Sequence, residues 1–216
     1  MKRRITALLL ALAMALPLTG CSLLERSYSS VERYSSSYYE SEDRDVLQPE
    51  TYQELVNALL VLVVNAAQVK QVLFGETGVA QHLKPGTAVM VSSTIASADA
   101  QEIATALAGF DLEMLDAPVS GGAVKAANGE MTVMASGSDI AFERLAPVLE
   151  AVAGKVYRIG AEPGLGSTVK IIHQLLAGVH IAAGAEAMAL AARAGIPLDV
   201  MYDVVTNAAG NSWMFE

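Results

Sequence analysis

Two short apolar runs decide the fold of this chain, LLVLVV at residues 59–64 and TAVMVSS at residues 87–93. Both are rich in β-branched residues and lack the polar alternation of a half-exposed strand. Each therefore predicts a strand that is buried on both faces of a parallel sheet. Residues 66–74 between them predict a helix, and the sequence KPG at residues 84–86 predicts the turn before the second strand. The order strand, helix, strand is typical of an α/β unit.

The same alternation continues towards the C-terminus. The pattern predicts a helix at residues 98–108 capped by Ser97, strands at 112–115 and 131–135, a helix at 142–153, a strand at 155–159, a long helix at 167–194 and a last helix from about Asp199. The sequence thus predicts an α/β fold with an incomplete Rossmann-like domain, the second half of a doubly wound parallel sheet. A long interdomain helix and the start of an all-α domain follow.

The predicted long helix is apolar or small on nearly every face. At 1.5 Å per residue it would measure about 42 Å, which exceeds the width of a small domain, so we expect it to bridge two domains or two subunits. Its apolar stretch is interrupted by His173, His180, Glu186 and Arg193. These polar residues favour a buried helix over a transmembrane one.

Composition excludes several classes of protein. The chain has 216 residues, of which 53% are hydrophobic and 17% charged, so it can bury a core and is not disordered throughout. Its formal net charge of −9 argues against a nucleic-acid partner. One cysteine excludes an internal disulfide, and three histidines without a Cys/His cluster predict no metal site.

The first 57 residues have a different character. Residues 1–21 start with three basic residues, continue with an apolar run and end in LTGC, which resembles a bacterial lipobox. This order predicts an export signal with Cys21 as the lipidated residue, and the lipid would be the only membrane contact. Residues 22–57 are rich in serine, tyrosine and acidic residues, which predicts a solvated tether.

Two motifs carry the residues that could perform chemistry. DAPVSGG at residues 116–122 follows a predicted strand, and its glycines allow backbone N–H groups to approach a carboxylate closely. A tight turn without a ligand explains the same residues equally well. GLGSTVKIIHQ at residues 164–174 places Lys170 near the start of the long helix, with His173 on the same face. A desolvated lysine can exchange a proton with a hydroxyl group, although a lysine at such a place is usually solvated.

Together the two motifs resemble the β-hydroxyacid dehydrogenase family, the group that includes 3-hydroxyisobutyrate dehydrogenase. In that family DAPVSGG holds the substrate carboxylate, and the lysine of GxGxxxK is the catalytic acid/base. The resemblance implies that Ser120, Gly121 and Gly122 bind substrate and that Lys170 is catalytic. His173 stands where the family has the asparagine of KxxN, and we expect it to orient the substrate.

The resemblance also implies a cofactor, a substrate class and an assembly. NAD is expected, in preference to NADP, with Asn65 and Thr94 at the ends of the two strands that flank it. The implied reaction is the oxidation of a small hydroxy acid to its oxo acid. Family members form homo-oligomers in the cytoplasm, so a folded chain is expected to form one too.

The sequence departs from the family in one respect. A Rossmann-type dehydrogenase carries GxGxxG after its first strand, because this turn places the pyrophosphate at a helix N-terminus. The chain contains no GxGxxG. We therefore expect a signal peptide at residues 1–21, a tether at 22–57, a partial NAD-binding domain at 58–162 and a truncated helical domain at 163–216. The expected activity of such a chain is low, and the alternative is a surface lipoprotein or a chimeric gene product without catalysis.

Overall fold

The computed structural model describes residues 58–216, which form a six-stranded sheet with helices on both faces. The strands are β1 Ala58–Val61, β2 Ala88–Val91, β3 Glu113–Asp116, β4 Val119–Ser120, β5 Met131–Gly137 and β6 Ala153–Gly160. The helices are α1 Ala66–Phe74, α2 Ser97–Ala108, α3 Gly122–Ala127, α4 Asp139–Val152, α5 Leu165–Arg193 and α6 Leu198–Thr206, with a 3₁₀ turn at Ala80–His82.

Strand direction divides the sheet into two parts. Strands β1, β2 and β3 are parallel neighbours in that order, as the buried apolar runs predict. Strand β5 is antiparallel to β3 and to the short β4, and β6 is parallel to β5. The predicted α/β class is confirmed, but the sheet is mixed and not parallel throughout.

Alternate residues of β2 point into two separate cores, which explains why the strand is apolar at every position. Val89 and Val91 pack with α1 and α2 on one face, where Ile103 and Leu107 are fully buried. Ala88 and Met90 pack with α4 on the other face. A strand covered by helices on both faces excludes water from both of its sides.

Three helix starts differ from the sequence predictions. Ser97 is the first residue of α2 and not its cap; the cap position is Ala96, which makes no side-chain bond. Helix α4 starts at Asp139, because the Ser138 Oγ accepts a hydrogen bond from the Ala141 N–H and caps the helix three residues earlier than predicted. Helix α5 starts at Leu165, so Lys170 is its sixth residue and lies in the second turn.

The register of the sheet brings the start of α5 to the end of β3. Asp116, the last residue of β3, pairs with Ser136 on β5, and Ser136 pairs with Gly160, the last residue of β6. These three residues therefore lie side by side across the sheet. The short connection after Gly160 places Gly164, the cap of α5, beside Asp116.

Most of α5 is exposed within the single chain, so the described residues do not provide the burial predicted for this helix, and its bridge to a second subunit stays a prediction. Its buried residues are Gly166, Ser167, Lys170 and Ala191. Large apolar side chains such as Leu175 are exposed to solvent. The helix has 29 residues with a mean hydropathy of 1.6 over its most apolar window, which also satisfies the length and composition of a membrane span.

Candidate active site

A cleft of about 480 Å³ lies between the β4–α3 turn, the first half of α5 and the C-terminal segment. The five residues predicted to bind substrate or to perform catalysis all line it: Ser120, Gly121, Gly122, Lys170 and His173. The two sequence motifs, which are more than 40 residues apart in the chain, are thus parts of one site.

The turn after β4 has a backbone that only glycine adopts without strain. Gly121 has a φ of 151° and Gly122 a φ of 70°. A Cβ on Gly121 would lie 2.9 Å from the Cβ of Lys125 and 3.0 Å from the Sδ of Met131, whereas a Cβ on Gly122 would meet nothing within 4 Å. Gly122 is also the first residue of α3, where backbone N–H groups have no acceptor within the helix. The turn can therefore offer N–H groups to an anion in the cleft.

Lys170 contributes a buried amine to the cleft. Only 6% of its surface is exposed, and burial lowers the pKa of its amine below the ordinary value of 10.5, because desolvation disfavours the charged form. Among residues 58–216, no hydrogen bond or ion pair is formed by this amine. A desolvated amine without an anionic neighbour is suited to accept and return a proton.

The start of α5 is attached to the sheet through Asp116, whose side chain is fully buried. One carboxylate oxygen, Oδ2, accepts hydrogen bonds from the Gly164 and Ser167 N–H groups, each at 2.8 Å. The other, Oδ1, accepts from the Ser167 Oγ at 2.6 Å. Ser136 completes the network: its Oγ donates to Asp116 at 3.4 Å and accepts from the Gly166 N–H at 2.9 Å. Asp116 is the first residue of the DAPVSGG motif, but the motif alone indicates no role for its side chain.

His173 lies one helical turn beyond Lys170 and is partly exposed. Its Nδ1 is 3.2 Å from the Oε1 of Gln174, which also lines the cleft. Both side chains therefore reach the same space as the Lys170 amine, as their spacing on the helix predicts.

The C-terminal segment forms a wall of the cleft that the sequence analysis did not predict. Trp213 and Met214 line the cleft, and the Nζ of Lys125 lies 5.6 Å from the centre of the Trp213 ring, at a distance typical of a cation–π contact. Phe215 anchors the segment by stacking on Tyr202 of α6. One feature of the sequence could have indicated this wall: Trp213 is the only tryptophan of the chain.

The two predicted cofactor residues do not line this cleft. Asn65 does not end β1, which stops at Val61; its Oδ1 accepts from the Gln68 N–H and caps α1. Thr94 is exposed and lies three residues beyond the end of β2. Because β1 and β2 are parallel, both side chains nevertheless lie at one edge of the sheet.

The same edge contains a buried hydroxyl group without a partner. The Ser92 Oγ directly follows β2 and makes no hydrogen bond among the described residues. Its neighbour Ser93 accepts a bond from the Val63 N–H at 2.8 Å, which joins the loops that follow β1 and β2. These polar groups lie at the carboxyl edge of parallel strands, the edge at which α/β folds bind ligands.

Two further predictions concern other parts of the chain. Cys21 lies outside the described residues. No group of three or more His, Cys, Asp or Glu side chains that could hold a metal ion occurs within residues 58–216.

Two domain families match the chain in succession. Residues 21–160 match the NAD binding domain of 6-phosphogluconate dehydrogenase, and residues 164–216 match the NAD-binding domain of NADP-dependent 3-hydroxyisobutyrate dehydrogenase. The chain belongs to the β-hydroxyacid dehydrogenase family. Both matched domains of this family bind NAD or NADP, as the resemblance implies. The first match begins at residue 21, within the part interpreted as signal and tether, and the boundary at residue 58 stays a prediction.

Individual members of the β-hydroxyacid dehydrogenase family are very similar to the chain. It is 97% identical over 166 residues to L-threonate dehydrogenase of Escherichia coli, which covers 77% of the chain and 55% of that protein. The L-threonate dehydrogenase of Pectobacterium atrosepticum is 74% identical over 167 residues, with the same coverage. A solved structure described as 3-hydroxyisobutyrate dehydrogenase from Salmonella typhimurium has 78% identity and a TM-score of 0.73, over 77% of the chain and 57% of that protein. The chain spans about half the length of the relatives it matches.

Proposed function

We propose that the chain carries the substrate-binding and proton-transfer half of an NAD-dependent dehydrogenase that oxidises a small hydroxy acid such as L-threonate to its 2-oxo acid. The observation that carries the proposal is the burial of the Lys170 amine in the same cleft as the Ser120–Gly122 turn. The high identity to L-threonate dehydrogenases supports L-threonate as the substrate.

The proposed step is a proton transfer at Lys170. The substrate carboxylate binds to the N–H groups of Gly121 and Gly122 and to the Ser120 hydroxyl, and His173 orients the rest of the molecule. The neutral Lys170 amine takes the proton of the reacting hydroxyl group while the C–O bond becomes a carbonyl. Bound NAD would supply the acceptor for the hydride that leaves the same carbon. Positioning by the cleft supplies most of the rate.

In the proposed function, this chain supplies only part of the cofactor site. Asn65, Thr94 and the unpartnered Ser92 hydroxyl would hold the nicotinamide end. The sequence contains no GxGxxG turn for the pyrophosphate. The chain by itself should therefore bind NAD weakly and show little turnover. Titration calorimetry of the full chain with NAD should show no saturable binding, and micromolar binding would contradict this part of the proposal.

The substrate half can be tested without turnover. In a chain labelled with ¹³C-lysine, L-threonate should shift the Cε signal of Lys170, which is assigned with Lys170→Arg. Ser120→Ala should weaken this binding about tenfold, because a hydrogen bond to a charged group is lost. Lys155, an exposed residue of β6, provides the control signal. An unchanged Lys170 signal at saturating L-threonate would contradict the proposed substrate.

A second proposal concerns the first residues of the chain. LTGC at residues 18–21 favours lipidation at Cys21 and anchoring to a membrane, with the globular part displayed on a surface. Expression in bacteria with radiolabelled palmitate should then label the chain, and Cys21→Ser should remove the label. An unlabelled chain of full length in the cytoplasm would favour the cytoplasmic dehydrogenase instead.

A further inference from the structure

The Asp116 carboxylate makes an unusual set of contacts for a buried anion. No lysine, arginine or histidine of residues 58–216 forms an ion pair with it. Its hydrogen bonds come from Gly164 and Ser167 at the start of α5 and from Ser136 on the neighbouring strand. The positive end of the helix dipole and these donors together compensate the charge. The carboxylate therefore joins the first turn of α5 to the sheet.

The contacts of Asp116 connect the two halves of the cleft. Along the chain, Asp116 ends β3 and lies four residues before Ser120. Across space, it bonds to Ser167, which lies three residues before Lys170 on the same helix. Residues three apart share a face of an α-helix and move together. Displacement of Ser167 from Asp116 would therefore displace the Lys170 amine from the substrate turn.

We propose that Asp116 is a positioning residue, which acts through Ser167 to fix the Lys170 amine beside the Ser120–Gly122 turn. The proposal rests on the proposed function only in naming Lys170 as the acid/base. If Asp116 only stabilised the fold, loss of its hydrogen bonds would lower the free energy of unfolding. The surroundings of Lys170 in the folded protein would then stay unchanged.

The proposal can be tested on the full chain by titrating the ¹³Cε signal of Lys170 in three variants. Ser167→Ala removes the 2.6 Å bond to Asp116 and leaves both backbone bonds in place. Asp116→Asn removes the negative charge and replaces one acceptor oxygen by an N–H donor, which can face the Ser167 hydroxyl. Ser138→Ala is the matched control, because the Ser138 Oγ donates to a carboxylate, Glu113, at 2.8 Å and also caps a helix, but does so at α4.

We expect Ser167→Ala to raise the pKa of Lys170 towards its ordinary value of 10.5, since a loosened helix start admits water to the amine. Asp116→Asn should also change this titration, whereas Ser138→Ala should lower the unfolding temperature without moving it. Among residues 58–216, His173 is the other titratable side chain that lines the cleft, and no carboxylate of this part lines it.

An unchanged Lys170 titration in folded Ser167→Ala would overturn the proposal, and so would an equal change in Ser138→Ala. If Asp116→Asn does not fold, Ser167→Ala decides the question by itself. Addition of L-threonate to the same samples keeps the two proposals separate. If L-threonate does not shift the Lys170 signal of the wild-type chain, the proposed substrate is contradicted. The comparison of Ser167→Ala with Ser138→Ala still decides the role of Asp116 in that case.

Discussion

Gly166 lies directly against the backbone of Asp116. A Cβ on Gly166 would be 2.6 Å from the Asp116 carbonyl oxygen and 2.5 Å from the carbonyl oxygen of Met134. Both atoms belong to the sheet and cannot move aside as a flexible side chain can. The second glycine of GLGS is therefore required for α5 to approach β3 and β5.

Gly166→Ala should destabilise the fold, because the added methyl group forces α5 away from the sheet. Overpacking of this kind costs about 1–3 kcal/mol. Gly178→Ala on the same helix is the control: its Cβ would meet nothing within 4 Å, and alanine favours a helix over glycine by about 1 kcal/mol. In urea unfolding, Gly166→Ala should lower the free energy of unfolding and Gly178→Ala should raise it. Equal effects would show that the close approach of α5 is not required.

Gly121→Ala should weaken binding of L-threonate by about tenfold or more, since the new methyl group would collide with Lys125 and Met131 and distort the turn that holds the carboxylate. Gly195→Ala is a suitable control, because Gly195 also has a positive φ, 75°, but its Cβ would face open space far along the chain from the cleft. Binding is measured by titration of the Lys170 signal. Retained affinity in Gly121→Ala would argue against this turn as the carboxylate site.

Lys170→Met should change the pH dependence of stability. The pKa of Lys170 is lowered in the folded state, so the unfolded state binds more protons between the folded value and 10.5. The free energy of unfolding of the wild-type chain therefore rises with pH between these two pKa values. The cost of burying the charged amine is greatest below the lower of them. The methionine variant avoids the penalty.

Urea unfolding of both chains at neutral pH and at pH 10.5 checks this prediction. The methionine variant should be the more stable one at neutral pH, and its advantage should shrink at the higher pH. A constant difference would mean that the amine is well solvated. Lys155→Met, at an exposed position, should show no such dependence.

The exposed apolar surface of α5 predicts self-association. Leu175 and Leu190 are 66% and 68% exposed, and contiguous apolar surface of this kind marks an interface. Sedimentation velocity should therefore show a concentration-dependent oligomer, which Leu175→Glu weakens at least about tenfold. Ile140→Glu on α4 adds the same charge at another exposed apolar residue and should leave the oligomer intact. A wild-type monomer at all concentrations would contradict the prediction.

Local signals predicted much of the fold. Helix α1 has the predicted bounds, because Asn65 and Gly75 mark its ends within a few residues of the apolar pattern. The reversed direction of β5 could not be predicted, since an apolar run has the same pattern in a parallel and in an antiparallel pair. The exposure of α5 was missed for a related reason: an apolar surface predicts burial but does not say what covers it.

The sequence predicts those site residues that belong to a recognisable motif. It does not predict contacts between residues of different motifs. The spacing of Lys170 and His173 predicts that they share one helix face, and only the resemblance to the family joins them to Ser120 in the glycine-rich turn. The contact between Asp116 and Ser167 joins residues 51 apart in the chain, and no local pattern indicates it. Asn65 could have been recognised as a cap, because Gln68 follows it three residues later.

The distance along the chain between Asp116 and Ser167 also determines when the cleft can form during folding. Closing a loop of 51 residues has an entropic cost that only contacts made after closure can offset. Strands β5 and β6 and helix α4 lie within that loop, so we expect them to form before α5 docks. The amine and the substrate turn should therefore come together in a late step of folding, and a nascent chain that ends before residue 167 should have no cleft.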